Sequence, residues 1–207
     1  VALIGLGLIA GSMAYAMKRA GVAGEIVGFA RSAETRDAVR QLGFCDRVTE
    51  SAAEACAEAD LVVLAVPVGA MGRIAAEIAP MLKPGATVTD VGSVKGDVFA
   101  SVTPHMPEGV QFIGSHPMAG TEHSGPYAGF AELFDNRWTL IVPPEACDPE
   151  ALERLERYWQ ALGSMTDRMD VEHHDQVCAV VSHIPHLIAY TMVGVADDLR
   201  RVTDSEV

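Results

Sequence analysis

The first twelve residues constrain this chain more than any other feature. An apolar run, Val1-Ala2-Leu3-Ile4, passes directly into Gly5-Leu6-Gly7-Leu8-Ile9-Ala10-Gly11-Ser12 and then into the helix-forming SMAYAMKRA. A strand that enters a helix through a glycine-rich reversal is the opening of a βαβ unit. Each small residue has a separate reason to be there. Gly5 permits the tight turn, Gly7 lets a ligand approach the backbone, and Ala10 lets the helix pack closely on the strand. The helix N-terminus then presents unpaired N–H groups, a ready site for a pyrophosphate. Gly5, Leu6, Gly7, Leu8 and Ile9 are therefore the first candidate dinucleotide-binding residues. The same apolar stretch resembles a signal or membrane segment. Its regular glycines, and basic residues (Lys18, Arg19) that follow rather than precede it, argue against that.

Beyond this unit, short β-branched runs alternate with helical stretches. EIVGF precedes AETRDAVRQLG, LVVLAV precedes GAMGRIAAEIAPML, and ATVTDV precedes KGDVFASVTPHM; VQFIG and WTLIV follow. Apolar runs without alternation indicate strands covered on both faces, hence a parallel sheet. The order βαβα predicts a Rossmann-type, doubly wound α/β fold, mostly parallel, over residues 1–170. Within it, residues 148–163 read as an amphipathic helix stopped by Gly163, and SMTDRMD as a further strand. From Val171 the character changes to a long apolar helical pattern interrupted by Pro185. Residues 171–207 are expected to begin an all-helical domain that needs a partner, either further chain or a second subunit. Arg200 and Arg201, near its end, are expected to face solvent.

Charge and cysteine usage exclude some classes. The formal net charge is -13, a field that repels nucleic acid and anionic membranes, so neither is an expected partner. The four cysteines form no CxxC pair, and a chain of 207 residues that is 49% hydrophobic can build its own core. Reduced, buried thiols and a cytoplasmic setting are the expectation.

The end of the second strand selects the cofactor. NAD usually meets a carboxylate there, but this chain has Ala30-Arg31-Ser32. A guanidinium and a hydroxyl suit a 2′-phosphate, which leans the reading to NADP over NAD, with Glu34 as a late carboxylate that keeps NAD open. Val66 and Pro67, where the chain leaves the LVVLAV strand, are expected beside the same crevice.

Two loops at later strand ends carry reactive groups: Asp90-Val91-Gly92-Ser93-Val94-Lys95-Gly96 and Gly114-Ser115-His116-Pro117-Met118-Ala119-Gly120-Thr121-Glu122-His123-Ser124-Gly125. Ligands bind outside the carboxyl ends of strands in such sheets, so both loops face the cofactor crevice. Alcohol dehydrogenation needs a base near neutral pKa, which points to His116, oriented by a hydrogen bond from Ser93. A metal reading of His173, His174, His183 and His186 lacks cysteine partners and has its spacing broken by Pro185, so no metal is expected.

GLGLIAGS, DVGSVKG, GSHPMAGTEHSG and SHIPH, in this order, resemble the prephenate/arogenate (cyclohexadienyl) dehydrogenase family of tyrosine biosynthesis. The resemblance implies oxidative decarboxylation of prephenate or arogenate with hydride transfer to NAD(P), and a Rossmann-type domain joined to a helical dimerisation domain, hence a homodimer. It places the catalytic base at His116, its partner at Ser93, and active-site polar groups at Glu122, His183 and His186. Lys95 is the one nearby cation that offers itself to substrate. The arginine that the family uses for the substrate carboxylate is expected beyond residue 207. Two alternatives stay open: another Rossmann dehydrogenase of hydroxy acids or imines, and a non-catalytic NAD(P)-sensing module.

Overall fold

A computed structural model describes the backbone of residues 1–203 and the side chains of residues 1–199. The expectation for Arg200 and Arg201 lies outside the described side chains. Strands β1 (Ala2–Ile4), β2 (Val27–Phe29), β3 (Arg47–Val48), β4 (Leu61–Leu64), β5 (Thr87–Asp90) and β6 (Gln111–Phe112) form one parallel sheet in the order β3-β2-β1-β4-β5-β6. Helices α1 (Leu8–Ala20), α2 (Ala33–Leu42), α3 (Ala52–Cys56), α4 (Val68–Ile78) and α5 (Gly96–Val102) make the crossovers. The order reverses between β1 and β4, and that switch point opens a crevice at the carboxyl edge. The expected doubly wound fold is the one observed.

The sheet is covered on both faces, as its continuous apolar strands require. Leu3, Met13, Met17, Val63 and Trp159 belong to one core cluster, and Ile4, Val62, Leu64, Met71 and Ile78 to the other. The alternation of Leu3 and Ile4 between clusters is the two-residue period of a strand buried on both sides. The opening apolar segment is thus core: Ala10, Met13, Ala14, Ala16 and Met17 of α1 are fully buried.

The chain departs from the sequence-based reading after β6. Gly114-Ser115-His116-Pro117, read as part of a loop, is strand β7 (Gly114–Pro117). It pairs antiparallel with β8 (Trp138–Val142), which pairs parallel with β9 (Met165–Arg168) across helix α6 (Pro149–Ala161). WTLIV therefore belongs to a second, three-stranded sheet rather than the parallel one. Trp159 of α6 explains why β7 can sit there. Fully buried, its Nε1–H donates to Ser115 Oγ at 3.1 Å, and Ser115 Oγ lies 2.7 Å from Thr89 Oγ1 on β5. Polar atoms on a buried strand are paired, and the pairing fixes β7 against the end of β5.

Helix α7 (Val171–Cys178) starts on Asp170, whose carboxylate accepts from His173 N at 2.8 Å. Helix α8 (Ile184–Thr203) follows without a break in the helical path. The joining turn, Ala179–His183, widens to π-helical hydrogen bonding. Pro185 cannot donate to residue 181, and a wider turn is a recognised way to carry a helix past such a gap. The proline that looked like an interruption is absorbed. The run Val171–Leu199 is long and apolar enough, by length and composition alone, to cross a membrane. Val180, Val181, Leu187, Ile188, Met192 and Val193 are exposed along it.

Candidate active site

At the switch point, the glycines divide by what surrounds them. Gly5 has φ +98°, and a Cβ there would collide with the Ala65 carbonyl, 2.8 Å from its carbon, and lie 2.9 Å from Val66 Cγ1. The turn needs glycine for the protein's own packing. Gly7, the N-cap of α1, has ordinary extended geometry, and a Cβ added there would meet nothing within 4 Å. No atom of the described residues explains glycine at position 7, and a ligand brought against the backbone would. Leu8 and Ile9 begin α1 with their N–H groups facing this space, and Leu6 turns its side chain into the core.

Ala30-Arg31-Ser32 follows β2 on the same edge. Ser32 is committed as the N-cap of α2, accepting from Thr35 N at 3.1 Å. Ala30 O and Arg31 O accept from Arg36 Nη1 at 2.8 and 2.9 Å. Among the described residues, the exposed Arg31 guanidinium has no hydrogen-bond or ion-pair partner. Val66 and Pro67 follow β4, with Pro67 as the N-cap of α4. The segment after β7 returns to this edge: Phe130 N donates to Ser12 Oγ at 3.1 Å, and a Cβ on Gly129 would lie 2.9 Å from the Gly11 carbonyl carbon. One loop therefore links the strand of His116 to the start of α1.

The surroundings of His116 differ from those expected. Ser93 is exposed and is not among its hydrogen-bond partners. His116 Nδ1 instead lies 3.0 Å from Nε2 of His174, a fully buried residue of α7. His174 Nδ1 lies 2.8 Å from Asp175 Oδ1. The neighbouring-residue pair was legible as HHD, but nothing in the sequence places it against β7. Asp175 is held in turn by the backbone N–H groups of Lys95 (2.7 Å) and Gly96 (2.9 Å) at the start of α5. Burial pushes the Asp175 carboxyl up, but those two N–H groups and the His174 ring outweigh it and leave it below its ordinary value.

An ionised Asp175 accepts only, so His174 carries its proton on Nδ1 and offers the Nε2 lone pair. His116 must then donate from Nδ1, which leaves its Nε2 as an acceptor. Nε2 makes no hydrogen bond among the described residues, nor is it one of the sealed, unpartnered polar atoms. It opens on solvent through the 7% of the residue that remains exposed. Burial first, then the Lys95 charge and the other two histidines, His174 and His183, pull His116 down to about 3, so the imidazole is neutral.

The other expected site residues separate. Lys95 is fully buried and ion-paired with the equally buried Asp90, which also accepts from Gly92 N (2.7 Å) and Ser115 N (3.2 Å). Burial pushes Asp90 up and Lys95 down, each towards its neutral form. Lys95 is therefore spent on holding the β5 end and β7 together and does not reach out to a substrate. His183, in the π turn, lies close enough to His116 to influence it. His186 is exposed one turn on, and Glu122 is exposed beside His123 at 3.5 Å. The four-histidine metal set does not assemble. Cys178, one turn after His174, does come in: its Sγ lies 3.5 Å from His116 Nδ1 and 3.4 Å from His174 Nε2. Among the described cysteines Cys147 is only partly buried, and all four are free.

A family model described as "Prephenate dehydrogenase, nucleotide-binding domain" matches residues 13–166, and one described as "Prephenate dehydrogenase, dimerization domain" matches residues 170–206. The cyclohexadienyl dehydrogenase of Zymomonas mobilis is 42% identical over 94% of this chain and 66% of its own length. The prephenate dehydrogenase of Bacillus subtilis is 34% identical over 93% of this chain and 52% of its own. The chain thus spans less than two thirds of either relative. A crystal structure of prephenate dehydrogenase from Aquifex aeolicus, in complex with hydroxyphenyl propionate and NAD+, superposes with a TM-score of 0.86 at 32% identity, covering 94% of this chain and 68% of that one.

Proposed function

The chain belongs to the prephenate dehydrogenase family, and on that footing we propose that it supplies the cofactor-binding and proton-accepting parts of an enzyme that oxidatively decarboxylates prephenate or arogenate. The observation that carries the reading is the Asp175–His174–His116 chain, which leaves a neutral imidazole with its acceptor nitrogen facing outward. The nicotinamide cofactor, when bound, supplies the hydride acceptor. His116 Nε2 takes the proton of the ring hydroxyl as the carbinol hydride departs. Loss of the ring carboxylate as carbon dioxide then makes the ring aromatic, so the step needs no further acid or metal. His174 and Asp175 fix the tautomer and share the charge that develops on His116, the role that an orienting carboxylate plays for a histidine base. His183, within electrostatic reach of His116, and the exposed Glu122 and His186 are the groups proposed to meet the substrate.

Gly5, Leu6, Gly7 and the N–H groups of Leu8 and Ile9 would hold the pyrophosphate of the cofactor, with Val66 and Pro67 alongside. At the adenosine end, residues 30–32 offer no carboxylate, and Arg31 is a cation without a partner among the described residues. These support a lean to NADP, while the NAD+ complex of the A. aeolicus relative keeps NAD in play. The exposed apolar side chains of the Val171–Leu199 run are proposed to be covered by a second copy, in keeping with the family model matched there.

The test is steady-state turnover of the full-length protein with both substrates against both cofactors. Reduced cofactor should form with at least one pair, and none with any pair refutes the proposal. His116→Asn should lower kcat by roughly a hundredfold or more without loss of cofactor binding. An unchanged kcat removes His116 as the base.

A further inference from the structure

Three potential metal ligands converge at His116, and the mechanism above uses only two of them. The distances among His116 Nδ1, His174 Nε2 and Cys178 Sγ are 3.0, 3.5 and 3.4 Å. All three residues are buried. Zinc binds histidine nitrogen at about 2.0–2.1 Å and cysteine sulfur at about 2.3 Å, so the edges of a tetrahedral site with two nitrogens and one sulfur run from roughly 3.3 to 3.6 Å. Three points spaced as here lie on a circle of about 1.9 Å radius, so an ion fits just off their plane with little movement of any ligand. We infer that these three atoms form a binding site for a soft divalent cation of the zinc type, and that filling it switches off the base.

The scaffold holds the site without help from an ion. His174 and Cys178 stand four residues apart on one face of α7, and β7 brings His116 from the opposite side. The donor set, two imidazoles and a thiol, selects zinc or a similarly soft ion over magnesium or calcium. His174 also has the outer partner that metal-binding histidines commonly have: its Nδ1–H is held by Asp175 Oδ1 at 2.8 Å, which aims Nε2 at the ion. With three protein ligands, a fourth position stays open to water or another small ligand.

The consequence for turnover rests on the reading of His116 as the base; the binding itself does not. An ion on Nδ1 displaces the hydrogen that His116 donates to His174. The neutral ring then carries its proton on Nε2, where it can no longer accept one from a substrate. Cys178 binds as thiolate and releases its proton, so one proton leaves per ion bound.

The experiment uses full-length protein freed of metal with a chelator. Zinc sulfate is titrated in competition with a chromophoric chelator, and turnover is followed in parallel. Cobalt(II) serves as a spectroscopic substitute. The inference expects one zinc per chain, a thiolate-to-cobalt charge-transfer band, and inhibition that follows occupancy and reverses on chelation. In Cys178→Ser the band should vanish, zinc affinity should fall at least tenfold, and the zinc dependence of its own turnover should disappear. A melting curve checks that the variant is folded, and the cobalt spectrum of the unaltered protein stands whether it is or not. Absence of a thiolate band in the unaltered protein, or affinity indifferent to Cys178, overturns the site. A thiolate site that fills while turnover is undiminished overturns the switch and counts against His116 Nε2 as the acceptor. Loss of turnover in His116→Asn without any zinc site would leave the proposed function standing and defeat only this inference.

Discussion

Gly7→Ala is the substitution in which the structure separates binding from folding. Gly7 is the N-cap of α1 with φ -93° and ψ -161°, a conformation open to any residue, and an added Cβ meets nothing within 4 Å. Alanine is a poorer N-cap than glycine by about 0.5–1 kcal/mol. It also restricts the unfolded chain, which recovers about 0.4–1 kcal/mol. The two nearly cancel, so the melting temperature should move by no more than about 2–3 °C for a chain of this size. Cofactor binding should behave differently, because the methyl group occupies the space in which a pyrophosphate would approach the backbone. A loss of at least about tenfold in affinity, ~1.4 kcal/mol, is expected. Gly5→Ala is the control. Its Cβ would run into the Ala65 carbonyl at φ +98°. The left-handed backbone alone costs about 1–2 kcal/mol. With the clash the total should reach at least about 3 kcal/mol, a fall of ~6–12 °C. Thermal unfolding and calorimetric titration with NAD+ and NADP+ on both variants measure the four quantities. A Gly7→Ala protein that binds cofactor normally would refute the assignment of the open space above Gly7 to the pyrophosphate.

Two further perturbations probe the support of the site. Lys95→Met leaves Asp90 buried without its partner, which should cost about 3–5 kcal/mol, read as a lower urea midpoint; unchanged stability would mean that Lys95 does not anchor the end of β5 and is available for substrate after all. Tyr158 buries a hydroxyl with no hydrogen-bond partner among the described residues, so Tyr158→Phe should raise stability by about 1–3 kcal/mol, and a lower melting temperature would show that a bound water satisfies that oxygen.

The parallel sheet, the crossover helices and the glycine turn are all legible along the chain, because each rests on local patterns: apolar runs set the strands, and Gly5 answers a turn that no other residue makes cheaply. Residue type, together with its place in a loop expected at the sheet's carboxyl edge, also singles out His116. It does not show what holds His116. Ser93 is suggested as its partner by two strand-end loops that face one crevice and by the family resemblance, whereas the observed partners His174 and Cys178 lie 58 and 62 positions away on a helix. Only the packing of α7 against α5 and β8, the strand paired with β7, brings them together, and that depends on Trp159, Ser115 and Thr89 pinning β7 to the parallel sheet. The fate of Lys95 was hidden for the same reason. A lysine near a candidate site reads as a substrate cation until folding removes it from water and sets it against Asp90. Patterns along the chain encode which face of an element is apolar. Which polar groups meet across the core is settled by burial, since each polar group left unpaired out of water costs stability.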